Sequence, residues 1–115
     1  MNAIVANQII KAYDENPGSW SLEDCLELFE YYFQEYQMRT GHAHPHMKTE
    51  TIRRIISGLD SVEDCFGRAY PLELEDYPEI ISAYFEEDFP SCNYSMAHFM
   101  SGSIRINRCF EVGIL

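Results

Sequence analysis

His42, His44 and His46 stand at alternate positions in "GHAHPHMK", a short stretch whose residue types suggest chemistry on their own. In an extended backbone, residues two apart project to the same side with Cα atoms about 7 Å apart, and two imidazoles so placed can close on one ion. A zinc site needs a third protein ligand, for which His46, His98 and Glu50 are the candidates. The competing reading is architectural. Pro45 keeps His44 out of the helical region and cannot itself sit inside a helix. The run is then a polar connection in which Met47 staples the following helix to the core. Isolated HxH pairs arise readily by chance, so the connection is preferred, and neither a metal nor a cofactor is assigned. His98, between Ala97 and Phe99, reads as a hydrogen-bonded core imidazole rather than a ligand or a base.

The carboxylates carry more information, because they are arranged as well as numerous. Nineteen Asp and Glu against eight Lys and Arg give the 115-residue chain a formal net charge of -11. Glu23, Glu27 and Glu30 fall at i, i+4 and i+7 of one predicted helix. They make a stripe away from its apolar face, extended by Gln34, with Tyr31 beside it for stacking or arginine contacts. Residues 63–88 add nine carboxylates against one base, Arg68; among them Glu73, Glu75, Asp76, Glu79, Glu86 and Glu87 are candidates for partner binding. Like charges at helical spacing cost about 0.3 kcal/mol per pair, so such a stripe is kept for solubility or for a partner. On a rigid helix it imitates the phosphate row of a nucleic acid and competes for basic surfaces that bind one.

Other function classes are disfavoured. The overall charge repels nucleic acid directly. A helix-turn-helix drawn across "TETIRRIISGLDSVEDCF" would bring Glu63 and Asp64 towards phosphates. No GxSxG elbow, Walker loop, GxGxxG or HExxH is present, and no Cys has a paired His at a recognisable spacing, so no enzyme is expected. Cys25, Cys65, Cys92 and Cys109 form no CxxC pair and read as small buried hydrophobes. No apolar run is long enough to span a membrane and no basic leader precedes "AIVANQII", which points to a cytoplasmic protein.

The elements that must position these residues follow from periodicity. Apolar residues at 46% suit a globular chain, and the length suits one domain over residues 1–115. A first helix carries Val5, Ile9, Ala12 and Tyr13 and ends near "DENPGS". Ser21, three residues before Asp24, starts a second whose stripe is Leu22, Cys25, Leu26, Phe29, Tyr32, Phe33 and Tyr36, up to Gly41. Thr49 caps a third with Ile52, Ile55, Ile56 and Leu59, stopped by Gly58. Ser61 and Asp64 repeat the cap spacing before a short turn through Phe66, and "GRAYPLELED" is an irregular crossing with no strand. Asp76 caps a helix with Tyr77, Ile80, Ile81, Tyr84 and Phe85, ended by Pro90; Asn93 begins another, and the tail from Ile104 suits a helix better than a strand. The expectation is an all-α, single-domain bundle of five or six helices.

The stretches "YYFQEYQMRTGHAHPHMK" and "YPEIISAYFEEDFPSCNYSMAHFMSG" resemble those of short acidic proteins carried by phages and mobile elements of Gram-positive gut bacteria. Together they cover less than half of the chain, and no defining motif is among them. Small acidic proteins of such elements include anti-CRISPR inhibitors. The resemblance implies a stoichiometric inhibitor of a basic nucleic-acid-binding protein such as a CRISPR effector nuclease. It assigns no residue. Two other readings stay open: a metal-stabilised protein using the His run, and a replication-associated helical adaptor.

Overall fold

Asn2 starts the first helix: its side-chain oxygen accepts from the Val5 amide at 2.9 Å, and α1 runs Ala3–Glu15. In the same way Asp24 donates its amide to Ser21 Oγ at 3.1 Å, and α2 runs Leu22–Thr40. It stops where expected, at Gly41, whose φ of 82° lies in the left-handed region that glycine enters without a Cβ clash. α3 runs Thr49–Gly58, but Lys48 holds the cap position without a side-chain bond. The Thr49 hydroxyl instead accepts from Gln8 Nε2 at 3.1 Å, and the same amide reaches the Met47 carbonyl at 3.0 Å. Gly58 is the last helical residue, not a left-handed stop beyond the helix.

The computed structural model describes all 115 residues, which divide into two compact units, Met1–Asp60 and Ser61–Leu115. In the first, α1 packs against both α2 and α3. The interior is built from Ile9, Ala12, Trp20, Leu28, Phe29, Tyr32, Tyr36, Ile52, Ile55, Ile56 and Leu59. The predicted stripes are mostly there, although Leu22, Leu26 and Phe33 are half-buried and Leu28, outside the stripe, is buried. Burying each large apolar side chain contributes about 2 kcal/mol, against under about 1 kcal/mol for an exposed ion pair such as Arg53–Glu15. The isoleucines, not the charges, hold α3 in place.

The second unit corrects the all-α expectation. Ser61–Glu63 and Ala69–Pro71 are strands β1 and β2, antiparallel with Val62 opposite Tyr70. Asp64 makes the hairpin. Its Oδ1 accepts from the Phe66 amide at 2.9 Å and the Arg68 amide at 3.0 Å, and its Oδ2 from the Tyr70 hydroxyl at 3.0 Å. The Arg68 amide above all, then the Phe66 amide, Tyr70 and the Arg68 charge, hold its carboxyl below the usual range against a partial burial that opposes them. Three-residue strands are too short to show alternation in the sequence, and the cap spacing of Ser61 and Asp64 serves a turn here.

A 3-10 turn, Leu74–Asp76, leads into α4, Tyr77–Glu86, followed by α5, Met96–Met100, and α6, Ile104–Glu111. Asp76 does not cap α4 with its side chain; it accepts from the Glu73 amide at 2.8 Å in a reciprocal box with Glu73 around the 3-10 turn. α4 ends at Glu86, ahead of Pro90. Ser95, not Asn93, caps α5, accepting from the His98 amide at 3.3 Å. The tail is a helix, as expected. Six α-helices and one small sheet make the chain mostly helical.

Arg105 joins the second unit together. Although 93% of it is withdrawn from solvent, as its 7% exposure shows, its guanidinium donates to the Tyr77 hydroxyl at 2.6 Å and to the Ser61 carbonyl at 3.0 Å. One side chain on α6 thereby ties the start of α4 to the start of β1. Hydrogen bonds from a charged donor contribute about 1.5–3 kcal/mol each, partly offset by the cost of burying the charge. Arg105→Ala should therefore destabilise the protein by roughly 3 kcal/mol in denaturant unfolding. Arg105→Met, which keeps the apolar stem and removes the buried charge, should cost less; equal stability of Arg105→Ala and the unaltered protein would refute the latch.

Candidate functional site

Ser21 sets the phase of α2, and with it the face that Glu23 and Glu27 occupy. Cys25, Phe29, Tyr32 and Tyr36 turn inward, and both glutamates are exposed and take part in no ion pair within the chain. Glu30 is used differently. Its carboxylate lies 2.9 Å from the Met1 amine and accepts from Gln34 Nε2 at 3.0 Å, which makes it an internal contact. The ridge continues instead along i+4 steps from Glu23 and Glu27 to Tyr31 and Glu35, and Glu35 meets Arg39 at 3.6 Å. Tyr31 is half-buried; burial first, and then the Glu35 carboxylate against an opposing Arg39, push its hydroxyl above the ordinary value.

The candidates of residues 73–88 stand on the other unit and also divide by use. Glu73 and Asp76 are occupied by their reciprocal box. Glu87 approaches Arg108 at 3.9 Å, and Arg108 also donates to Glu111 at 2.8 Å. Glu75, Glu79 and Glu86 are exposed with no ion pair, Glu79 in the first turn of α4 where a negative charge suits the helix dipole. The freely presented carboxylates among the candidates are thus Glu23 and Glu27 on α2, and Glu75, Glu79 and Glu86 at and along α4.

The His run is a connection built on ring packing. His44 is half-buried against Tyr32, Phe33 and Tyr36, with ring centroids 5.9, 5.0 and 4.8 Å away, and His42 lies 5.6 Å from Tyr36. His44 Nδ1 is 2.8 Å from the Pro45 carbonyl, an acceptor, so that nitrogen carries the proton. Burial, opposed by this bond, holds its pKa below the ordinary 6.5. His46 is exposed, and no three His, Cys, Asp or Glu side chains converge as metal ligands, so His42, His44, His46 and Glu50 do not fit a zinc ion. Around this connection runs a cleft of about 260 Å³, lined by Val5, Gln8, Glu30, Phe33, His44 and Met47 among others.

One cluster escaped sequence reasoning. His98, expected to be a hydrogen-bonded imidazole, is one: Nδ1 lies 2.7 Å from the Tyr84 hydroxyl. The same nitrogen is 3.3 Å from Cys92 Sγ. The only signal for that pairing is a Cys and a His six residues apart on either side of a serine cap, a spacing that matches no recognised motif.

The position of His44 sets a pH dependence. With its pKa lowered by folding, the unfolded chain binds more protons below 6.5, so the stability contribution is complete above that value and is lost as pH falls towards the lower folded value. The denaturant midpoint should fall between about pH 8 and about pH 5.5, and His44→Gln should flatten that change; an unaltered slope would exclude His44 as its source.

The chain matches no protein-family model, no curated protein and no solved structure.

Proposed function

We propose that this is a non-enzymatic binding protein that offers carboxylates on helical ridges to a basic, nucleic-acid-binding surface of another protein. Only six carboxylates, of Glu15, Glu30, Glu35, Asp64, Glu87 and Glu111, enter ion pairs inside the chain. The single observation that carries the reading is the exposed, internally unpaired Glu23–Glu27 ridge, continued by Tyr31, in a chain of net charge -11. Arginines and lysines that hold phosphates find there carboxylates at a helical spacing, together with a tyrosine face for stacking. The resemblance to small acidic phage and mobile-element proteins makes a CRISPR effector nuclease the specific partner proposed. Inhibition then follows from occupying the surface that nucleic acid would use.

A replication-associated adaptor acting by apolar helix packing has less behind it: the exposed large apolar residues are Met1, Ile4, Met38, Phe66 and Phe110. Because the attraction is long-ranged, association should be fast and should weaken steeply with salt. A pull-down from host lysate, washed at graded salt, names the partner. Against it, Glu23→Lys with Glu27→Lys should lower affinity by about tenfold or more at low ionic strength and flatten the salt dependence, with helix content unchanged. Glu79→Lys with Glu86→Lys tests the α4 carboxylates in parallel. Unchanged affinity in both double variants would remove the reading.

A further inference from the structure

Three polar groups converge on the sulfur of half-buried Cys92 in the second unit. Cys92 Sγ accepts from the Tyr94 amide at 3.1 Å, lies 3.3 Å from His98 Nδ1, and lies 3.7 Å from the Tyr84 hydroxyl. Separate elements bring them there: Tyr84 from α4, His98 from α5, and Cys92 from the loop between. Two non-glycine residues of that loop, Ser91 at φ 62° and Tyr94 at φ 56°, adopt the left-handed region, which is costly for a side-chain-bearing residue. Tyr94 is fixed from its far end as well, its hydroxyl donating to the Glu87 carbonyl at 2.6 Å and accepting from the Phe89 amide at 3.0 Å. The Phe89 ring meets the His98 ring edge to face, with centroids 5.3 Å apart.

The other three cysteines lack these surroundings. Cys25 is 1% exposed, its thiol pushed up to about 11 by burial and then by Asp24 and Asp60. Cys109 is fully buried, and burial chiefly raises its thiol too. Cys65 is exposed in the hairpin turn. Cys92 alone combines access with a base and hydrogen-bond donors.

We propose that Cys92, with His98 and Tyr84, is a reactive thiol that forms mixed disulfides with small disulfide molecules. The step balances with the disulfide as oxidant. His98 Nδ1 takes the thiol proton; once protonated it donates to the Tyr84 oxygen 2.7 Å away, and the Tyr84 hydroxyl, 3.7 Å from the sulfur, can donate to the thiolate. Cys92 Sγ attacks one sulfur of R–S–S–R, the new S–S bond forms as the old one breaks, and the departing thiolate takes the proton back from the imidazolium. Cys92 is oxidised and one R–S group is reduced to its thiol. A thiol reverses the reaction by the same route.

The test uses the full chain and 2,2′-dithiodipyridine, a neutral disulfide that the acidic protein does not repel, with modification at each cysteine followed by peptide mass spectrometry at near-neutral pH. Cys92 should react about tenfold faster than Cys65, and Cys25 and Cys109 should stay silent while the protein is folded. His98→Gln should slow Cys92 by about tenfold and leave Cys65 unchanged, whereas Tyr84→Phe, which keeps the imidazole, should slow it less. Reactivity of Cys109 reports any variant that has lost its fold. In the unaltered protein no such loss intervenes, so a Cys92 rate equal to or below that of Cys65 overturns the proposal. So does a folded His98→Gln protein whose Cys92 reacts at the original rate.

Discussion

A hydroxyl carried on a buried aromatic ring has to find a partner, and this requirement organises the protein's polar interior. Tyr77 and Tyr84 are fully buried. Withdrawing each ring from water stabilises by about 2 kcal/mol, and leaving its hydroxyl unbonded costs about as much, so the partner decides whether the burial is favourable. Tyr77 is met by Arg105, which in reaching it also reaches Ser61 and so draws helix and hairpin together. Tyr84 is met by His98, and that bond brings an imidazole to Cys92. In the first unit the Tyr13 hydroxyl donates to the Trp20 carbonyl at 2.6 Å and ties the loop after α1 back to the helix.

The negative charge has several physical uses that composition does not separate. Asp64 folds a turn, Glu73 and Asp76 close a helical box, and Glu15 and Glu35 pair with arginines. These carboxylates already serve contacts within the fold. Glu23, Glu27, Glu79 and Glu86 have not, and their solvated charges repel one another along helices whose stability comes from the apolar opposite face. On the function proposed above, such a surface would meet a cationic counterpart without rearranging the core. The basic residues show the same division: Arg105 bonds neutral acceptors, while Arg108 neutralises Glu87 and Glu111 and lies 5.5 Å over the Phe89 ring.

What was legible in the sequence was local. Helices spaced by 3.6 residues show their inner faces as Ile52, Ile55, Ile56 and Leu59 or as Cys25, Phe29, Tyr32 and Tyr36, and Ser21 and Gly41 mark the ends of the longest because capping involves residues within one turn. The exposure of Glu23 and Glu27 follows from the same phase. That the His run with Pro45 is a connection between helices was also within reach, because proline keeps His44 out of the helical region; the ring packing that places His44 against Tyr36 was not.

Tertiary structure alone decided the rest. Glu30 shares the periodicity of its neighbours but turns to the Met1 amine, 29 residues away, and no helical rule reports such a contact. The sequence determined most of what each helix buries, because that depends on spacing along a few turns, although Leu28 is buried outside the predicted stripe. Which polar groups then meet was decided only on folding: Arg105 with Ser61 44 residues away, and His98 with Tyr84 and Cys92. Those pairings depend on how whole elements pack, and the need to satisfy buried hydroxyls and charges selects among the packings.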